Sequence, residues 1–210
     1  MPPASKARRI FLLSPANAAG IRAQLVISDR ANFDLAKRLR AEGASLGEVF
    51  SFISGLYFRG KLAYAQAFAE VPPDMAGVLV ITAGGGLMPA DTPVSIDVLR
   101  KISAVEVHAD NPDYRAPLER DAKALATQIG PPCEIVLLGS IATPKYVEPL
   151  LGIFGERLLF PAEFVGRGDM SRGGLMLRCI RSGQQLTYIP VSNAVRHGPR
   201  PPKLSKLTRR

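Results

Sequence analysis

Apolar residues in this chain gather in short unbroken runs, and between the runs they recur at helical spacing. A strand covered on one face alternates apolar with polar positions, so an unbroken run predicts a strand buried on both faces. Residues 9–14 form the first such run. Residues 77–83 form a second, bounded by glycine. Residues 134–139 are a third, and 157–160 a short fourth. Helices are expected over 33–42, ending at Gly43, and over 46–54 and 61–70, with breaks near Gly55 and Gly60. Two more are expected over 115–129 and 143–154, the last opened by Pro144 near its first turn and stopped at Gly155. Helices alternating with buried strands predict an α/β protein: layered, with a mostly parallel central sheet and flanking helices. Residues 175–180 and 186–191 flank Ser182-Gly183 and suggest a C-terminal hairpin at the sheet edge. A short helix after Ser171 competes with it, although Gly173-Gly174 weighs against a helix there.

At 210 residues the chain suits one such domain, expected over 10–195, between a basic N-terminal arm (1–9) and a basic, proline-rich tail (196–210). The net charge of +9 is not spread over the chain. Lys6, Arg8 and Arg9 contribute three positive charges. Arg196, Arg200, Lys203, Lys206, Arg209 and Arg210 contribute six, with no acid among them, so residues 10–195 are balanced. Basic arms of this kind bind nucleic-acid backbone through counterion release, or they solubilise the ends. No apolar run is long enough for a membrane span, and none is expected. Ile10-Phe-Leu-Leu13 after the basic residues is too short for an export signal and reads as a strand. Cys133 and Cys179 form neither a metal spacing nor a disulfide framework. They are expected as buried thiols, which points to a cytoplasmic location.

Four loops carry candidate chemistry. They are Ser14-Pro-Ala-Asn17, the segment 82–89 with Gly84-Gly-Gly86, the segment Gly139-Ser140 leading to Lys145-Tyr146, and the segment 164–178. The first three follow strands, where open parallel sheets bind ligands. The fourth holds four glycines and three arginines, which suit an anion: glycine admits backbone close to a ligand, and arginine offers a planar fork of donors. Arg167 and Arg172 are the expected phosphate contacts, with Ser171, Gly166, Gly168 and Lys145 adding donors and Arg59 and Lys61 lining the rim. No loop is a Walker A or dinucleotide fingerprint, so no cofactor is expected, and no metal-binding spacing occurs. Two histidines, His108 and His197, leave little basis for a Ser-His-Asp triad. Asp169 is the candidate general acid or base, with Ser14, Asn17 and Tyr146 orienting a substrate. The expected partner is nucleic acid, DNA before others, or a nucleotide. The competing expectations are an enzyme acting on a nucleotide or nucleobase, and a structural or partner-binding domain.

Taken in order, these segments resemble the YaaA family of bacterial peroxide-stress proteins. Ser14-Pro-Ala-Asn17 is similar to that family's Ser-Pro-Ala-Lys after the first strand. The region from Tyr57 to Tyr64, around Gly60, resembles its Gly-x-x-Tyr-x-Gly. Residues 83–93 look like its Ser-Gly-Leu-Tyr-Gly-x-Leu-x-Pro turn, and residues 135–146 are similar to its late strand and the helix after it. Gly166-Arg-Gly-Asp-Met-Ser-Arg172 resembles its Ala-Arg-Gly-x-Met-Ser-Arg. The resemblance spans about residues 9–180. It implies an α/β, DNA-binding protein tied to peroxide protection and to lowering free iron, with no secure reaction. Asn17 stands where that family has lysine, Gly84-Gly-Gly86 stands for its Leu-Tyr-Gly pattern, and the basic tail is a further departure.

Overall fold

The computed structural model describes residues 8–205. Eight strands lie among them: β1 (Arg9–Leu13), β2 (Ala44–Ser45), β3 (Val78–Thr82), β4 (Gly86–Pro89), β5 (Pro93–Val94), β6 (Glu134–Leu138), β7 (Leu158–Pro161) and β8 (Tyr188–Pro190). Eight α-helices accompany them: α1 (Ile21–Ile27), α2 (Asp34–Ala41), α3 (Leu46–Ser54), α4 (Leu56–Phe68), α5 (Ile96–Ala104), α6 (Pro112–Ile129), α7 (Pro144–Phe154) and α8 (Asp169–Ser182). None of these helices is long and apolar enough to cross a membrane.

Six strands make one sheet in the order β4-β3-β1-β6-β7-β8. The inner four are parallel, with Phe11 opposite Val78 and Val136, and Ile135 opposite Leu158. The edge strands β4 and β8 run antiparallel to β3 and β7. Ile10, Phe11, Leu12 and Leu13 are all fully buried, as are Ile135, Val136, Leu137 and Leu138. Successive strand side chains point to opposite faces, so both faces of the sheet are covered. Helices α3 and α8 both pack on α4 and α4 packs on β1, while α6 packs on α7 and on β3 and β4. The four strands read from apolar runs are β1, β3, β6 and β7.

Local signals explain most boundaries. Ser45 accepts a hydrogen bond from the Glu48 N–H and so caps α3. Asn111 caps α6 with Pro112 at its first position, and Pro144 opens α7 the same way. Gly183 ends α8 in the left-handed conformation at φ 67°.

Three expectations are corrected. Residues 175–180 are not a strand: they lie in α8, and β8 pairs instead with β7 at the sheet edge, Leu159 opposite Pro190. The helix expected from Lys61, after a break near Gly60, begins five residues earlier: residues 56–60 already belong to α4. Both differences have one cause. A Cβ built on Gly60 would lie 2.8 Å from the Gly173 carbonyl oxygen, and one on Gly173 would lie 2.8 Å from the Leu56 carbonyl oxygen. These glycines let α4 and α8 cross backbone to backbone, so they mark a contact and not a break. The third correction concerns Arg9. It opens β1 as expected, but its charge, counted with the basic arm, is paired with Glu134, and its guanidinium stacks 4.7 Å from the Tyr188 ring centroid. Lys6, Lys206, Arg209 and Arg210 lie outside the described residues.

Candidate functional site

The sheet order fixes where a site can form. From β1 the chain moves to β3 on one side, then returns past β1 to β6 and β7 on the other. The reversal leaves a crevice at the carboxyl ends of β1 and β6, where open α/β sheets take their ligands. Ser14 ends β1 there, and its N–H donates to the Leu138 carbonyl at the end of β6. Gly139 lies beside it. A Cβ at Gly139 would sit 3.0 Å from the Ser14 Cβ and 3.3 Å from its Oγ, so a glycine lets the backbone pass this close to the hydroxyl.

Lys61 enters this crevice from α4. Its Nζ donates to the Ser14 carbonyl oxygen at 2.5 Å and lies 2.8 Å from the Ser14 Oγ. It also lies 4.5 Å from the Tyr57 ring centroid and 4.9 Å from that of Phe58. The residue is 1% exposed, and among the described residues no carboxylate stands within ion-pair distance of it. Burial pulls its pKa down from 10.5 to about 7. The negative charge of Asp169 acts the other way, and the positive charge of Arg172 adds to the lowering.

Tyr57 precedes Lys61 by one helical turn, so the two share a face of α4. Its hydroxyl is buried without a hydrogen-bond partner, and burial pushes its pKa up to about 12 against the field of Arg172. Tyr146, from the first turn of α7, is also buried and its pKa is raised by burial, with smaller contributions from Tyr57 and Asp169. Six groups therefore converge on the crevice: Ser14, Tyr57, Lys61, Tyr146, Asp169 and Arg172. The N-termini of α7 and α8 lie on the same edge, because helices of a parallel α/β sheet run opposite to its strands. Next to this cluster is a cavity of about 510 Å³ lined by residues 15–19 and 102–107 with Ala83, Lys145 and Tyr146.

The expected anion loop is only partly a loop. Gly168 occupies the N-cap position of α8, and Asp169, Ser171 and Arg172 are in its first turn. Gly166 has φ 70°, a conformation that glycine adopts without strain. The two arginines are not open forks. Arg167 donates to the Glu163 carbonyl at 3.0 Å, to the Ser171 Oγ at 3.2 Å and to the Pro202 carbonyl at 3.4 Å. Arg172 donates to the Phe164 carbonyl from two nitrogens, lies 5.4 Å from the Phe164 ring centroid, and approaches Asp169 at 3.8 Å. Both hold the turn before α8. The Glu163 carboxylate accepts from the Thr187 N–H and pairs with no arginine among the described residues.

Other expected residues scatter. Asn17 and Lys145 line the cavity, and Lys145 lies 5.2 Å from the Tyr146 ring centroid. Arg59 is exposed, whereas Lys61 beside it in sequence is inside the protein and not on a rim. Asp169 is exposed, 70% of its side chain open, and acts on Lys61 through its field. Sequence reasoning missed Tyr57, whose spacing of four from Lys61 is the usable signal. Among the described residues no cluster of histidine, cysteine, aspartate and glutamate could hold a metal ion. No protein-family model, curated protein or solved structure matches the chain.

Proposed function

We propose that the chain is an enzyme for a small, phosphate-bearing molecule of nucleotide type, held in the cavity beside the β1–β6 crevice. One observation carries this reading: Lys61, a titratable base, is buried at the sheet's switch point against Ser14 and without an ion-pair partner. A lysine stripped of water without a paired carboxylate is costly, and such groups concentrate at functional sites. The cavity volume falls within the range of small-ligand sites. Lys145 offers a cation at its wall, Tyr146 an aromatic face, and the α7 and α8 N-termini favour negative charge.

Binding linkage provides the test. A ligand at about 100 times its Kd should raise the thermal midpoint by roughly 5–10 °C in a domain of this size. A panel of nucleoside mono- and diphosphates, nucleosides and inorganic phosphate should contain such a ligand, and Lys145→Glu should weaken its effect. A panel that leaves the midpoint unmoved overturns the reading.

The charge of +9 favours a second reading, binding of DNA through the basic ends. The peroxide-stress role that the YaaA resemblance implies belongs with it. That reading requires binding to long duplex DNA that weakens steeply with salt. With Arg167 and Arg172 engaged on backbone carbonyls, Arg196, Arg200 and Lys203 would make the phosphate contacts instead.

A further inference from the structure

We propose that Ser14 and Lys61 form a nucleophile and base pair that takes an acyl group from an activated ester and passes it to water. The inference deepens the reading above: it rests on the same crevice, but not on the identity of the nucleotide.

The hydrogen bonds give the pair its direction. The Ser14 carbonyl oxygen can only accept, so one Lys61 N–H is committed to it at 2.5 Å. The Ser14 Oγ, 2.8 Å away, can donate as well as accept. When Lys61 is neutral its lone pair faces that hydroxyl and receives the Oγ–H. The backbone carbonyl thus orients the amine, as a third group orients the base in other activated nucleophiles. Gly139 passes so close to Oγ that a side chain there would crowd the hydroxyl, and the cavity lined by Pro15 and Ala16 begins at the residue after Ser14. The charged and titratable groups around Lys61 are Tyr57 on its own helix and Asp169 and Arg172 on α8. Once Lys61 is protonated, the Tyr57 and Phe58 ring faces and the Asp169 field steady the ammonium. Tyr57 keeps its proton because burial raises its pKa against the nearby Arg172, so its hydroxyl remains a donor on the face of α4 that carries Lys61.

The step balances without a further reagent. Ser14 gives its Oγ proton to Lys61 while Oγ bonds the ester carbonyl carbon, and the carbonyl electron pair moves to oxygen. Collapse breaks the bond to the leaving oxygen, which takes the proton from Lys61. Water then gives a proton to Lys61 and bonds the acyl carbon. The Ser14 ester bond breaks, and Ser14 recovers the proton. The net reaction is ester plus water to acid plus alcohol.

The experiment uses the full chain with p-nitrophenyl acetate, following p-nitrophenolate release and mapping acetyl groups by peptide mass spectrometry. Expected is either an acetyl adduct on Ser14 or sustained p-nitrophenolate release, abolished in Ser14→Ala and slowed at least about 100-fold in Lys61→Met. Tyr57→Phe should slow it about 10-fold or more with the adduct still on Ser14. Equal reaction of wild type and Ser14→Ala, or an acetyl group on Lys61 and none on Ser14, overturns the pair. Ser14→Ala removes only an oxygen, so the test stands even if Lys61→Met does not fold. Ester cleavage without thermal stabilisation by any nucleotide overturns the ligand reading and leaves the pair, and the reverse result overturns the pair alone.

Discussion

Replacing Lys61 by methionine should change the stability of the protein in a way that depends on pH, and the dependence can be worked out in advance. The unfolded chain titrates this lysine at 10.5, and the folded chain at about 7. The sign follows from which state holds the proton. Between the two values the unfolded state is protonated and the folded state is not, so stability increases with pH across that window. Below about 7 both states are protonated and the full cost of burying the charge is present, about 5 kcal/mol at 1.36 kcal/mol per pKa unit. Above 10.5 the cost has gone. Methionine has a similar length and no titration. Urea denaturation of wild type and Lys61→Met in parallel cancels every other titrating group. The wild type should gain about 4 kcal/mol on the variant from about pH 6 to about pH 10. The absolute offset also contains the lost hydrogen bonds to Ser14, but these shift the curve without changing its slope. A difference that stays flat with pH would mean that Lys61 titrates normally, and the burial reasoning would fail.

The crossing of α4 and α8 gives a paired prediction. Gly173→Ala drives a methyl into the backbone of Leu56 and Tyr57, 2.8–3.0 Å away, and should cost about 1–3 kcal/mol in urea denaturation. Gly174→Ala, next to it, would meet only the Leu204 side chain at 3.5 Å and should be neutral or stabilise by up to about 1 kcal/mol. Hydrolysis by the Ser14 pair needs neutral Lys61, so its rate should be lost as pH falls through about 7 and be level above it; a profile without that inflection removes Lys61 as the base. Removing residues 196–210 deletes six cations and should lower the salt slope of any DNA binding by as much as ~5, with an unchanged slope arguing that the tail does not touch DNA.

The sheet was legible because its inner strands are buried on both faces and so read as unbroken apolar runs, from Ile10 to Leu13 and from Ile135 to Leu138. The strand-end loops could be placed for the same reason, and the Ser14 and Tyr146 loops meet at one crevice. Helix α8 was legible only as the competing helix after Ser171, and the first turn of α4 was not legible. Gly60, Gly173 and Gly174 argue against helix by propensity, and only the partner helix explains the first two. The arginines misled for a related reason. A guanidinium near glycines suits a phosphate, but carbonyls exposed by a turn suit it equally, and Arg172 takes the Phe164 carbonyl. Lys61 was hidden because charge counts as surface in a sequence. Its burial depends on Phe58, Tyr57 and a helix more than 100 residues further along the chain.

That distance bears on how the protein is made. Ser14 and Lys61 leave the ribosome early, and β1 and α4 can meet soon after. The helix that crosses α4 at the residue before Lys61 is synthesised more than 100 residues later. Until it docks, Lys61 lacks part of its cover, and its pKa would stay nearer the ordinary 10.5, leaving the amine charged at neutral pH. The proposed Ser14–Lys61 pair would therefore stay inert in the nascent chain until α8 has been made and has docked on α4.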